Sequence, residues 1–179
     1  MFFIGIIIIC SVGTVLHFTY ELSKHNRLVD IFSAVNESTW EHIKICMTPT
    51  ILWSIYEMTI YGLNKNFLLA KSLSFLTIIL LIPILFYSYT IFTKKSILFV
   101  DVICFYITVI CSQFVFKSIV TINSISDISI FLSSALLTIE FVAYLYLTFN
   151  PLKNFLFKDP ITNKYGLEGH PCHHHHHKK

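Results

Sequence analysis

The sequence predicts an all-α polytopic membrane protein, a five-helix transmembrane bundle with its N-terminus outside and its C-terminus cytoplasmic. Three observations predict it. Apolar residues make up 55% of the 179-residue chain and charged residues only 13%. Mean hydropathy is +0.69, and the apolar residues gather into five runs of bilayer-spanning length. Soluble domains carry about 25% charged residues, so lipid is the expected solvent. About 20 apolar residues, rising about 1.5 Å each, cross a hydrocarbon layer of about 30 Å. Backbone polar groups in lipid must be satisfied within the segment, which makes these Ile-, Phe- and Thr-rich runs helices although the same residues favour strands in water.

The first run spans Phe2 to about Tyr20. It lacks the charged n-region of a secretory signal, and Ile9 stands before Cys10 where a lipoprotein cleavage site needs a small residue, so a mature helix is expected. The second run spans about Ile45 to Leu63, the third Phe67 to about Phe92, the fourth Ile97 to about Val120 and the fifth Ile128 to about Phe149. Short connections, Asn64 to Asn66 and Thr93 to Ser96, leave no room for a second domain. Residues 1–166 are therefore expected to form one transmembrane domain, followed by a flexible His-rich tail over 167–179 for which an added terminal tag is one source.

Orientation follows the basic residues, which are retained on the cytoplasmic side of short loops. One orientation places Lys24, Arg27, Lys44, Lys94, Lys95, Lys153, Lys158, Lys164, Lys178 and Lys179 inside and leaves Lys65, Lys71 and Lys117 towards the outside, and the same side wins with Lys178 and Lys179 discounted. The first loop, third loop and tail are thus expected in the cytoplasm. The formal charge of +3 forms no basic stripe, which argues against a nucleic-acid partner. The bilayer is the expected partner, with a protein partner or homo-oligomer left open. Five cysteines without CxxC spacing read as buried thiols, not as a zinc or redox site.

This orientation gathers His17, Glu21, the segment Asn36 to Lys44, Tyr87, Tyr89, Thr90 and Asp101 at one membrane face. Ser33 to Lys44 reads as a helix start, with Asn36 or Ser33 as cap and Glu37 in the first turn. Glu37, Glu41 and Lys44 would share a stripe, while His42 points about 100° away from Glu41. A common ion would then need His17, Glu21 or Asp101, or distortion at Pro49, which lacks the amide for the Ile45 carbonyl.

Three readings compete. In one, His17, Glu41 and His42 hold a divalent metal ion that activates water, with Glu37 or Glu41 as general base. In another, the cluster binds a polar substrate or relays protons. In the third, it is a charge-paired helix entrance with Trp40 as interfacial anchor and Lys44 snorkelling. The spacing matches no HExxH motif. Asn36, Trp40, Asp101 and Glu140 are the candidate substrate-binding residues, and Asp101 could equally cap its own helix.

Glu57 is expected to pair with Lys71 across the Asn64 to Asn66 turn. Glu140 lies in mid-helix, where a carboxylate costs about 2.5 to 3.5 kcal/mol on insertion scales, so it is either protonated and bonded to Gln113 or Thr108, or lines a cavity. The sequon Asn36-Glu37-Ser38 lies on the face away from glycosylation. In the tail, Asp159-Pro160 and Tyr165-Gly166 favour turns that fold back on the helix ends. The run His173 to His177 has no preorganised geometry and is left outside the site.

Three segments, Leu16 to Tyr20, Phe32 to His42 (FSAVNESTWEH) and Asp159 to Gly166 (DPITNKYG), resemble a group of small, uncharacterised bacterial multi-pass membrane proteins that carry a domain of unknown function. The resemblance runs nearly to Gly166 and implies a bacterial cytoplasmic-membrane location, but no activity. The functional expectation is a membrane-embedded enzyme, with a metal-dependent hydrolase as one form, acting on a lipid or membrane-delivered substrate. A small transporter using Glu140 and Glu57, or a non-catalytic subunit, are the alternatives.

Overall fold

The computed structural model describes residues 1–24, 26–122 and 128–169; the histidine run of the tail lies outside them. The chain is helical, in the order α1 (Phe2–Leu22), α2 (Arg27–Asp30), α3 (Thr39–Tyr61), α4 (Lys65–Thr93), α5 (Leu98–Val120) and α6 (Ile128–Phe149), with a closing 3₁₀ turn at Gly166–Gly169. Among the described residues the only β feature is an isolated bridge between Lys158 and Tyr165. Four helices are long and apolar enough to cross a membrane: Phe2–Leu22, Asn66–Thr93, Leu98–Val120 and Ile128–Phe149. These coincide with the first, third, fourth and fifth runs.

The second run departs from expectation. α3 begins at Thr39, inside the Ser33 to Lys44 segment expected to start the helix and six residues before the apolar span, and it includes Glu41, His42, Lys44 and Glu57, whose polarity keeps it below the apolarity of the other four. Its protection comes from protein. Every residue from Thr39 to Thr50 is buried, and α3 packs against α1, α4 and α5. The core forms around it, with Ile43, Cys46 and Met47 meeting Ile9 of α1, Phe75, Ile78 and Ile82 of α4, Phe105 and Val109 of α5 and Tyr144 of α6. α6 docks chiefly on α4.

Two glycines let α1 approach closely. A Cβ on Gly13 would lie 2.5 Å from the Phe105 ring and 2.9 Å from the Ile45 carbonyl oxygen, the carbonyl that Pro49 leaves without its helical donor. A Cβ on Gly5 would lie 2.6 Å from the Trp53 indole nitrogen. At the far end of α3, Lys71 donates to Glu57 as the sequence predicts, and its ammonium lies 3.9 Å from the Phe116 ring centroid. This pairing, with cation–π support, offsets the cost of burying both charges.

Residues after α6 fold back across the other end of the bundle. The Trp40 amide donates to the Leu156 carbonyl (3.0 Å), and Tyr87 Oη donates to the Phe155 carbonyl (3.1 Å). Phe157 is buried and stacks on Trp40, ring centroids 5.0 Å apart. The fold-back expected from the Asp-Pro and Tyr-Gly pairs is thus a packed element. Trp40 is correspondingly a core residue, not an interfacial anchor.

Candidate functional site

The site begins with the connection from α2 to α3. Ser38, not Asn36 or Ser33, is the N-cap of α3, and it makes no side-chain cap bond. Asn36 instead accepts from the Ser38 amide (2.8 Å) and donates to the Gly166 carbonyl (2.9 Å), an Asx turn tied to the tail. The Glu37 amide donates to Asp159 Oδ1 (3.1 Å), whose other oxygen accepts from the Thr162 amide (2.6 Å). Asp159 is 1% exposed. Thr162 Oγ1 also donates to the Gly169 carbonyl (3.2 Å). The segments FSAVNESTWEH and DPITNKYG therefore interlock through their own polar groups.

Held outside the helix, Glu37 leaves the stripe expected for it and turns toward two imidazoles. His17 Nε2 lies 3.8 Å from Glu37 Oε1, and His42 Nε2 lies 3.8 Å from Glu37 Oε2. The two rings are 5.9 Å apart. His42 Nδ1–H donates to the Ser38 carbonyl (3.0 Å), which fixes the ring and turns Nε2 to the carboxylate. A gap of 3.8 Å exceeds a direct hydrogen bond and is that of an ion pair when an imidazole is protonated. His17 Nδ1 is buried and has no hydrogen-bond partner.

Glu41 takes a different role from the expected one. Its Oε2 accepts from Lys44 Nζ (2.7 Å) and from the Val35 amide (3.0 Å). Lys44, fully buried, also donates to the Asp30 carbonyl (2.8 Å), so it does not snorkel. These bonds turn Glu41 away from the two imidazoles and into a polar knot that anchors the loop on α3. His17, Glu41 and His42 accordingly do not converge. Among the described residues no group of three or more His, Cys, Asp or Glu side chains is arranged to hold a metal ion.

Asp101 is buried beside the site, with Tyr89 Oη donating to one oxygen and Ser96 Oγ to the other (2.7 Å). It fastens the connection between α4 and α5 while lining, with His42, an apolar recess. Glu140 lies apart on α6, its carboxylate oxygens buried without a hydrogen-bond partner. Neither expected partner reaches it, since Thr108 donates to the Cys104 carbonyl and the Gln113 amide nitrogen is itself unpaired.

Two cavities meet at this site. A chamber of mixed character, about 210 Å³, is lined by His17, Glu21, Asn36 and Glu37, by the apolar Ala34 and Val35 and, from the tail, by Asp159, Ile161 and Gly169. An apolar groove of about 130 Å³ runs between α1 and α5, lined by Gly13, Thr14, Val102 and Phe105 among others. His17, Phe18 and Leu98 line both.

A model built on a family of unknown function, DUF6512, matches residues 1–167. The chain belongs to the DUF6512 family. Its matched length includes every chamber residue up to the tail turn, so the DUF6512 region and the folded unit with its interlocked tail nearly coincide. No curated protein and no solved structure matches the chain. Asp159 is the site residue that sequence reasoning placed in a turn but not in the site; its signal was the DPIT run, where a carboxylate stands three residues before the threonine amide that it caps.

Proposed function

We propose that this DUF6512 chain is a membrane-embedded enzyme that hydrolyses a lipid or other membrane-delivered substrate, with Glu37 as general base between His17 and His42. The observation that carries the reading is the 3.8 Å approach of one carboxylate to two imidazole Nε2 atoms at the wall of the chamber. Glu37 takes the proton of an attacking water, and an adjacent imidazole returns a proton to the leaving group. The His42–Ser38 hydrogen bond aims one of these acids. A divalent ion would enter only if His17, His42 and Glu37 closed around it, with Glu41 left to Lys44.

In this reading α3 crosses the membrane as a fifth helix, screened from lipid by its neighbours. The chamber then faces the cytoplasm of a bacterial cell, as the lysines at that end favour. Support for this comes from the position of Lys94 at the end of α4 that also carries Tyr89 and the Asp101 knot.

The test is turnover of a panel of carboxylic and phosphoric esters, soluble and lipid, by purified chain ending at Gly169, with metal content measured on the same sample. Hydrolysis of at least one ester, reduced about 10²- to 10⁴-fold by Glu37→Gln, is expected. A rate unchanged in Glu37→Gln, with the fold retained, defeats the reading.

A further inference from the structure

Burying a charge is costly unless a partner balances it. Among the described residues, Glu41 is buried against Lys44 and Glu57 against Lys71. Asp101 accepts from Tyr89 and Ser96, and Asp159 from two backbone amides. Glu140 breaks the pattern: it is 5% exposed, and neither of its carboxyl oxygens has a hydrogen-bond partner. It sits near the middle of α6, a helix long and apolar enough to cross the membrane. α6 docks chiefly on α4, whose buried ammonium, Lys71, is bound to Glu57. A carboxylate there would lack both water and a counter-charge, so the group is held as the neutral acid.

Polar groups continue from Glu140 in one direction along α6. Ser133, Glu140 and Tyr144 form the buried stripe of this helix, as spacings of seven and four residues dictate. Ser133 turns its hydroxyl back to the Ser129 carbonyl of its own helix. Tyr144, one turn further along the chain than Glu140, reaches outward instead. Its Oη lies 2.8 Å from Thr48 Oγ1 and donates to the Ile31 carbonyl (3.2 Å). Phe32, the next residue of that loop, is 50% exposed, so the phenol stands between the buried acid and water at the end of the bundle. The charged group that faces Tyr144 from α3 is Glu41, and Lys44 balances it.

We propose that Glu140 is a proton-binding site inside the membrane that exchanges its proton with water through Tyr144. Intramembrane acids mark proton relays, and this one uses neither His17, Glu37 nor His42. No direct hydrogen bond joins the acid to the phenol, so one water molecule bridges them. That water takes the carboxyl proton and gives one of its own to Tyr144 Oη, whose phenolic proton passes to water at the Ile31–Phe32 loop. The same steps in reverse restore the acid.

The test is infrared spectroscopy of the full chain in lipid, first in water and then during exchange into D2O. At neutral pH a carboxylic C=O band is expected that is missing in Glu140→Gln and moves to lower frequency as deuterium enters. Tyr144→Phe should slow that movement at least fivefold. Thr48→Val, which removes the same interhelical hydrogen bond but keeps the phenol, should leave the rate within twofold of the parent. Absence of a Glu140-dependent band overturns the neutral acid. A band that never moves overturns the exchange and leaves a merely packed acid. Movement at the parent rate in Tyr144→Phe, or equal slowing in Thr48→Val, overturns the route through the phenol.

Discussion

Glu37 and Glu41 differ in fate because the α-helix begins between them. Glu41, inside α3, is buried and saturated by Lys44 and the Val35 amide. Glu37, outside it, is held by its backbone to Asp159 and leaves its carboxylate to His17 and His42. A helical stripe drawn through both residues mixes a structural group with a chemical one. Removing one partner of a buried pair strands the other charge, at a cost of about 3 to 5 kcal/mol. Glu41→Ala is therefore expected to lower the unfolding free energy by about that amount in detergent. Replacing both partners, as in Glu41→Leu with Lys44→Met, should recover most of the loss. Equal stability of Glu41→Ala and the parent would remove the structural role given to this residue. Glu37→Gln, by contrast, should leave thermal unfolding nearly unchanged, because the Glu37 backbone and not its side chain holds the loop.

Among the elements, the four outer helices were legible from apolar length alone, ending within about two residues of the expected bounds. α3 was harder to read. Its start depends on partners supplied by other elements: Lys44 for Glu41, Asp30 for Lys44, Phe157 for Trp40. Hydropathy sees the polar side chains but not the groups that satisfy them, so the apolar span was placed from Ile45, while the capping pattern put the helix start at Asn36 or Ser33, within a turn or so of the observed cap at Ser38. The tail was legible as turns from Asp159-Pro160 and Tyr165-Gly166, yet its docking rests on a carboxylate capping an amide 122 positions away, which no local pattern encodes. If that capping secures the tail, Asp159→Asn should speed tryptic cleavage at Lys158 and Lys164 in folded protein. Trp40→Ala, which removes the stacking partner of Phe157, should do so more strongly and cost about 3 to 5 kcal/mol of stability. Cleavage at the parent rate in both variants would mean that the tail is not held by these contacts.

For the molecule as a whole, polarity is sorted along the bundle axis. One end carries the Glu57–Lys71 pair; the other gathers the Glu41–Lys44–Asp30 knot, the Asp101 knot and the chamber. A cytoplasmic chamber requires Lys94 and Ile122, at opposite ends of the paired helices α4 and α5, to face opposite compartments. In intact cells a membrane-impermeant maleimide should label a single cysteine at Ile122→Cys and leave Lys94→Cys unreacted until the membrane is opened. The reverse pattern inverts the orientation but keeps the chamber. Helix number and the gathering of polar groups at one face could be anticipated from lysine placement and run length. The pairing of Glu37 with both imidazoles could not, because it needs the loop to leave the helix and the tail to hold it there.

The tail closes the chamber by bringing Gly169 against Asn36. A Cβ on Gly169 would lie 3.3 Å from the Asn36 Cβ, near the separation of about 3.5 to 4.5 Å that a disulfide bridges. In a chain whose native cysteines are replaced by alanine, Asn36→Cys with Gly169→Cys should oxidise to one intramolecular disulfide, recovered as a linked pair of peptides, without loss of thermal stability. Failure of that bond to form in folded protein, while Asn36→Cys joins Lys153→Cys instead, would contradict a chamber closed by the tail.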